Sequence, residues 1–180
     1  MDPIELLRQE HRDIGRVLDR LEQAISAARR GAQVNVVLFD RVAEFLRKHV
    51  ESNHHLKENA LHGMLRQAGI SSQNRVMGQL NDEHALGREM TEELRRTSRA
   101  VLRGELELEA LMASAEAYIR MHRLHTQMEE RELLPTAQRL LGPEAMSRVW
   151  ARFARIEGRG GSMADAAAAL GLAFGTEVRR

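Results

Sequence analysis

The sequence of 180 residues contains no cysteine, only three prolines and few aromatic side chains. The absence of cysteine excludes disulfide bonds, thiolate metal sites, iron–sulfur clusters and cysteine nucleophiles, and it fits a reducing compartment. β-Branched residues cluster only briefly, at Val34, Val36 and Val37. Because strands are rich in such residues, the sequence gives no sign of a β-sheet.

The chain also lacks a charge of one sign. Lys and Arg together number 27 against 26 Asp and Glu, so the formal charge is +1. This balance gives no electrostatic reason for binding nucleic acid or an anionic membrane. No apolar run approaches the roughly 18 residues of a membrane span, and no secretory leader is recognisable. We therefore expect a soluble cytoplasmic protein with neither a nucleic-acid nor a membrane partner.

Strong helix formers dominate the sequence, and glycines divide it into long segments. The predicted helices run from Asp2 to about residue 30, then over 34–68, 72–103 and 106–141 with a kink at Pro135, followed by a short fifth helix to about residue 157. The predicted fold is all-α, an antiparallel up-and-down four-helix bundle. We expect residues 1–157 to form this bundle with a metal-binding core over 1–142. Residues 158–180 form a Gly-rich linker and an Ala-rich tail, either mobile or docked on a neighbour.

Each of the four long helices places metal-ligand side chains on its apolar seam, where residues repeat at three- and four-residue spacing. The inward residues of this kind are His11 in the first helix, His54 and Glu58 in the second, His84 in the third, and His122, His125 and Glu129 in the fourth. At about 1.5 Å per residue these positions lie within roughly two turns of one level in an antiparallel bundle. A single shared site is therefore plausible.

Buried carboxylates beside several histidines need a compensating charge, and a metal ion supplies it. His54 and Glu58 are four residues apart, as are His125 and Glu129, so each pair stacks one helical turn apart. Two such pairs favour two metal ions over a buried polar network without metal. Nitrogen and oxygen ligands without sulfur favour iron first, with manganese or zinc less favoured.

These residues resemble the hemerythrin family, specifically bacterial hemerythrin-like domains with the His-His-Glu (HHE) cation-binding signature. The matching segments are Glu10-His11, His54-His55-Leu56-Lys57-Glu58, Glu83-His84, and His125-x-x-x-Glu129-Glu130 followed by Leu133-Leu134-Pro135. Together they span residues 1–142. His-x-x-x-Glu alone is common on helices, whereas four such segments in this order are specific.

The resemblance implies a non-haem di-iron centre bridged by two carboxylates and an oxo or hydroxo group. By position, His11 and His54 would bind one iron, His84 and His125 the other, and Glu58 and Glu129 would bridge. The sequence departs from the classical oxygen carriers in two places. Arg88 stands where those carriers have a second histidine, and the carboxylate follows His125 at four residues rather than five. One iron could therefore have an open position, filled by water, by His122 or by Glu83.

The remaining candidates receive weaker assignments. His55 is expected off the His54 face, beside the ligands or at an interface, and His49 and His62 are expected at the surface or in structural roles. Tyr118 is expected in the core. Two small residues of the third helix, Gly87 and Thr91, are expected to line a pocket above the metals.

The leading functional hypothesis is a di-iron protein that binds, senses or reacts with dioxygen, nitric oxide or peroxide. An oxidoreductase that reduces peroxide or nitric oxide at the same centre is the alternative, followed by iron storage or handling and by a metal-free interaction module. The implied partner is a small-molecule ligand, and an electron donor and a homo-oligomer are left open.

Overall fold

The computed structural model describes residues 2–71, 73–160 and 162–177. This part of the chain is helical and contains no strand. Its helices are α1 (Pro3–Arg29), α2 (residues 36–67), α3 (Arg75–Leu102), α4 (residues 108–140), α5 (Pro143–Gly160) and α6 (Met163–Glu177). The all-α prediction is thus confirmed. No helix in the described ranges is long and apolar enough to cross a membrane.

Glycines end three of the four long helices, as predicted. Gly31, Gly69 and Gly104 follow α1, α2 and α3 with φ of 90°, 99° and 73°. Glycine adopts this left-handed conformation without the steric cost that a side chain would bring, so it stops a helix cleanly. At the other end of α1, the Ile4 amide donates to the Asp2 side chain at 3.0 Å, which caps the first turn.

Two long helices contain π-helical segments, in which the backbone is wound more loosely than in an α-helix. In α2, the segment Leu46–His54 joins the α-helical parts Val36–Phe45 and His55–Gln67. At its end the His55 amide donates to the Val50 carbonyl, five residues back. The looser winding changes which residues of α2 share a face.

The π-helical segment of α4 is Glu129–Leu133, between Leu108–Met128 and Leu134–Leu140. It ends two residues before Pro135, which has no amide hydrogen and whose ring crowds the carbonyl four residues back. The irregularity predicted at this proline therefore takes the form of a loosened turn just before it, with the Leu134 amide donating to the Glu129 carbonyl.

Two apolar clusters lie at different levels of the bundle, with the predicted ligands between them. The larger cluster includes Ile14, Phe39, Val50, Leu94 and Ile119, and the smaller includes Ile4, Leu7, Leu61, Leu80, Leu133 and Phe153. Along α1 and α3 the chain passes from the smaller cluster to the larger, and along α2 and α4 it passes back. This alternation is the up-and-down topology that was predicted.

Two helices follow the four-helix bundle and pack against it. Phe153 of α5 is fully buried in the smaller cluster, and Met163 and Ala167 of α6 are buried in the larger cluster against α1 and α2. Residues 158–160, predicted as part of a flexible linker, instead continue α5 to its end at Gly160. Gly161 and residues 178–180 lie outside the described part. The domain boundary near residue 157 stays a prediction.

Candidate metal centre

The six predicted ligands converge between the two apolar clusters, and His55 joins them. All seven are buried, each with no more than 6% of its surface exposed. They form two groups whose ligand-type atoms lie within 4.8 Å of one another. Group 1 consists of His11, His54, Glu58 and Glu129, and group 2 consists of His55, Glu58, His84 and His125.

The two carboxylates lie between the groups. Glu58 places Oε1 at 2.7 Å from His54 Nε2 and Oε2 at 3.0 Å from His84 Nε2. Glu129 places Oε2 at 3.1 Å from His11 Nε2 and 3.5 Å from His125 Nε2. Each carboxylate thus approaches histidines of both groups, which is the arrangement that a bridging carboxylate requires.

A second set of carboxylates binds three of the histidines on the ring nitrogen that faces away from the cluster. The Nδ1 atoms of His11, His54 and His125 bond to Glu130 at 2.8 Å, Glu10 at 2.8 Å and Glu83 at 3.0 Å. A carboxylate partner places the ring proton on Nδ1, which leaves the lone pair of Nε2 directed into the cluster. This carboxylate–histidine pattern is typical of metal-binding imidazoles.

The inward atoms of the cluster have no hydrogen-bond partner within the described part of the chain. They are Nε2 of His11, His54, His84 and His125 and both carboxylate oxygens of Glu58 and Glu129. The short approaches between them lack the alignment of hydrogen bonds. Unpartnered buried polar atoms are costly, and a metal-free polar network would pair them. The residues present therefore fit a pair of bound cations.

The charges within the cluster shift the pKa values of its side chains in opposite directions. Burial alone would raise the pKa of Glu58, but the charge of His54 and the close approach of His11 and His84 lower it well below its usual value. Burial likewise opposes protonation of His54, yet Glu58 and Glu10 raise its pKa to about 9. The pKa of Glu129 is raised by burial and by the nearby charge of Glu58. Without a cation, protons on the histidines offset part of the carboxylate charge.

A comparison with protein-family models matches residues 2–137 to the hemerythrin HHE cation-binding domain. The chain belongs to the hemerythrin family. A search of curated proteins and a search of solved structures gave no match. The HHE domain comprises α1 to most of α4 and includes every residue of groups 1 and 2, whereas α5 and α6 follow it.

His55 lies within group 2, whereas sequence reasoning expected it beside the ligands or at an interface. Its ring stacks on His84, with centroids 4.0 Å apart and an interplanar angle of 12°, and lies 5.9 Å from His125. In a regular α-helix, two neighbours such as His54 and His55 point about 100° apart, since a turn takes 3.6 residues. His55 instead follows the π-helical segment, where the winding changes, and both rings enter the cluster.

A signal for this change is present in the sequence. Leu46, Val50, His54 and Glu58 are all buried, although they follow one another at intervals of four residues. In an α-helix, twelve residues of such spacing drift by about 120° and would leave the core face. A long run of four-residue intervals therefore indicates a loosened helix. The same spacing recurs at His125, Glu129, Leu133 and Ala137, around the second π-helical segment.

A small pocket adjoins group 2. Besides the histidines of that group, it is lined by Glu83, Gly87, Tyr118, Met121 and His122. Gly87 was predicted to line such a pocket. Thr91 was predicted there too and is buried, but it is not among the lining residues, and its hydroxyl donates to the Gly87 carbonyl at 2.9 Å.

Glu83 and His122, the two side chains proposed for an open ligand position, differ in where they lie. Glu83 bonds to the Nδ1 atom of His125 and so supports a ligand from outside the cluster. His122 is buried and outside both groups, with Nδ1 3.3 Å from the Thr126 hydroxyl. Burial and the neighbouring histidines lower the pKa of His122 well below its usual value, so its ring is neutral. Arg88 is exposed, and His55 completes group 2 without it.

The two other histidines of α2 are buried rather than at the surface. His49 stacks on Phe45, with ring centroids 5.3 Å apart. His62 is 1% exposed and lies parallel to His84 at 6.4 Å, and burial lowers its pKa to about 4. The surface alternative is therefore wrong for both, and structural roles stand.

Proposed function

We propose that the HHE domain binds two iron ions, with Glu58 and Glu129 as the bridging carboxylates. His11 and His54 would hold one iron, and His84 and His125 the other, as the family resemblance implies. The observation that carries this proposal is the position of Glu58, whose two oxygens face histidines of different groups. A carboxylate shared in this way favours a pair of cations over a single one.

His55 extends the ligand set beyond the sequence-based assignment. With His55, group 2 offers three imidazoles and a carboxylate, while group 1 offers two imidazoles and two carboxylates. His55 thus takes the role that Arg88 leaves open relative to classical oxygen carriers. The two cation positions are therefore unequal. Imidazole and carboxylate ligands suit iron, and manganese and zinc remain the competing metals.

The protein contributes orientation, burial and selective access. Glu10, Glu130 and Glu83 fix the rings of three histidines so that their Nε2 lone pairs face inward. The apolar clusters on either side keep the centre dry. A bound iron pair supplies the electrons for binding or reducing dioxygen, nitric oxide or peroxide. The pocket beside group 2 adjoins His84 and His125, so a small ligand that enters it would lie next to that cation position.

An oxidoreductase that acts on peroxide or nitric oxide is the second candidate. It is supported by two side chains of the pocket that carry a polar hydrogen, the Tyr118 hydroxyl and the His122 ring. Reduction of peroxide consumes protons, so polar hydrogens beside the ligand pocket favour turnover. A sensor needs binding without repeated turnover. Steady-state consumption of hydrogen peroxide with a chemical reductant therefore separates the two functions.

Iron analysis and optical spectra test the proposed centre. Protein expressed with iron should contain two irons per chain, and azide should change its absorption spectrum in the region of ligand-to-iron charge transfer. The His55→Gln variant should bind one iron well and the second weakly. His49→Gln is the matched control, because His49 is a buried histidine of the same helix outside both groups. Wild-type protein without iron, or with a single tightly bound iron, would refute the proposal.

A further inference from the structure

Lys57 is a fully buried cation at the edge of the metal centre. The sequence has only two lysines, Lys48 and Lys57, among 27 basic residues. Within the described ranges, Lys57 is the one lysine or arginine that is buried, with 0% of its surface exposed. A buried charge is tolerated where it is paired, so its partners indicate what it does.

Lys57 joins two carboxylates from different parts of the chain. Its Nζ contacts Glu10 Oε1 of α1 and lies 3.1 Å from Glu157 Oε1 of α5. The other oxygen of Glu10 bonds to His54 Nδ1 at 2.8 Å. An unbroken chain of polar contacts therefore runs from α5 to a histidine of group 1.

The charge of Lys57 explains why Glu10 can serve His54. Glu10 is 3% exposed, and a carboxylate at such a depth needs a cation nearby. Lys57 supplies that cation and also holds the carboxylate by a hydrogen bond on the side opposite His54. Glu10 in turn keeps the His54 ring turned with Nε2 inward. The partners of coordinating histidines commonly change metal affinity about 10- to 100-fold when removed.

The contact with Glu157 brings a helix outside the HHE domain into this chain of contacts. The family match ends at residue 137, whereas α5 begins at Pro143. Val149 and Phe153 of α5 are fully buried against the smaller apolar cluster, which fixes the face of α5 that carries Glu157. Docking of α5 thus places a carboxylate on Lys57.

We propose that Lys57 and Glu157 are positioning residues that couple the docking of α5 to the cation affinity of group 1. The inference rests on the proposed function, because it requires that group 1 bind a cation. Coupling of this kind is reciprocal, so a cation at group 1 must also favour the docked state of α5. Among the residues that the structure describes, the outer carboxylate of group 2 is Glu83, which bonds to His125 and not to Lys57.

Anaerobic titration of the metal-free full chain with Fe(II) tests this coupling. Wild-type protein should bind two Fe(II), and Lys57→Met should bind one of them about 10- to 100-fold more weakly while the other is unchanged. Glu157→Gln, at a half-exposed position, should weaken the same Fe(II) about 2- to 5-fold. Lys48→Met is the matched control, because Lys48 is exposed on the same helix and should change neither affinity.

Two further measurements separate positioning from general loss of structure. In a Glu10→Gln background, Lys57→Met should add less than about a twofold effect, because Lys57 acts through the charge of Glu10. The single tryptophan, Trp150, lies on α5, so its fluorescence should change on Fe(II) binding in wild-type protein and less in Lys57→Met. Circular dichroism checks that the metal-free variants fold, and Glu157→Gln carries the test if Lys57→Met does not.

The outcomes distinguish this inference from the proposed function. Wild-type protein that fails to bind two Fe(II) refutes the proposed centre, and the coupling with it. Wild-type protein that binds two, while folded Lys57→Met and Glu157→Gln bind both with unchanged affinity, overturns the coupling alone. Equal weakening of both cations in Lys57→Met would also overturn it, because the contacts reach only group 1.

Discussion

The polar layer of groups 1 and 2 and the two apolar clusters around it are both buried. They differ in whether their side chains find partners within the protein. Every member of the apolar clusters packs against other apolar side chains of the same chain. In the polar layer, by contrast, the inward nitrogen and oxygen atoms have no hydrogen-bond partner in the described part of the molecule. The comparison teaches that this chain obtains stability from one kind of layer and cation binding from the other, so the two properties should respond to different substitutions.

The largest expected effect is the loss of cation binding in Glu58→Gln. The neutral amide removes half of the bridging charge, and Glu58 belongs to both groups. We expect the affinity for both cations to fall by more than about 100-fold, a larger loss than for partners outside the ligand set. Titration with Fe(II) under anaerobic conditions measures it. Glu44→Gln, exposed on the same helix, should bind as wild type does. Retention of both cations by Glu58→Gln would contradict the proposed bridging role of Glu58.

A substitution in an apolar cluster should have the opposite profile. Leu21 is fully buried in the larger cluster, ten residues along α1 from His11. We expect Leu21→Ala to lower the free energy of unfolding by about 2–5 kcal/mol, since it leaves a cavity. Denaturant unfolding of the metal-free protein measures the loss, and iron analysis should still give two ions per folded chain. A variant that loses iron while keeping its stability would contradict the separation of layers.

The pH dependence of the metal-free protein sharpens the comparison. The folded-state pKa of His54, raised from 6.5 to about 9, means that protonation stabilises the fold. This contribution is complete below pH 6.5 and is lost as the pH rises towards 9, a change on the order of 3 kcal/mol. Bound cations replace the proton, so the loaded protein should not lose stability over this range. Urea unfolding at pH 6.5 and 9, with and without Fe(II) or Zn(II), measures the free energy of unfolding of both forms. An equal loss of stability in the metal-free and the metal-loaded protein would contradict the proposal.

Glu129→Gln should stabilise the metal-free protein modestly. The pKa of Glu129 lies above its usual value because of burial and the charge of Glu58, so its ionised form costs stability near neutral pH. The amide removes this cost, and we expect the free energy of unfolding to rise by about 1 kcal/mol while cation affinity falls. Thermal unfolding of metal-free wild type and variant compares them. A clear loss of stability would show that Glu129 is needed for packing.

The smallest change is expected from the pocket beside group 2. Gly87 lines it, and a Cβ atom there would lie 3.4 Å from Met121 Cε. Gly87→Leu should therefore slow azide binding to the iron-loaded protein about tenfold, while iron content stays the same, because the longer side chain narrows the route. Stopped-flow absorption measures the rate. Gly78→Leu, on the exposed face of the same helix, is the control, and equal rates in all three proteins would place the route elsewhere.

The fold and most of the candidate site followed from local rules. Gly31, Gly69 and Gly104 marked helix ends because only glycine takes the left-handed conformation at little cost. His11 and His84 lie on seams of regular α-helical spacing, so a fixed angle per residue placed them correctly inside. The same fixed angle placed His55 only beside the ligands, whereas the structure brings its ring into group 2 directly after the π-helical segment of residues 46–54.

Other features depended on contacts that no spacing rule reaches. Glu157 is a hundred residues from Lys57 in the chain, and its approach to Lys57 depends on how α5 docks. The helix α6 packs against α1 through Met163 and Ala167, residues whose weak amphipathic pattern left docking and mobility equally open. The identity of the bound metal depends on supply in the cell as well as on the ligand set.

The loosened winding of α2 also bears on which changes of chain length the centre would tolerate. A π-helical segment is what an α-helix becomes when one residue is inserted without disturbing the packing on either side. Deleting one residue within 46–52 would allow an unbroken α-helix with both apolar clusters still in register. His54, His55 and Glu58 all follow this range, so they would keep their positions relative to one another and to the smaller cluster. A change of a single codon would thus alter the winding beside the candidate ligands and leave the ligand set and the topology in place.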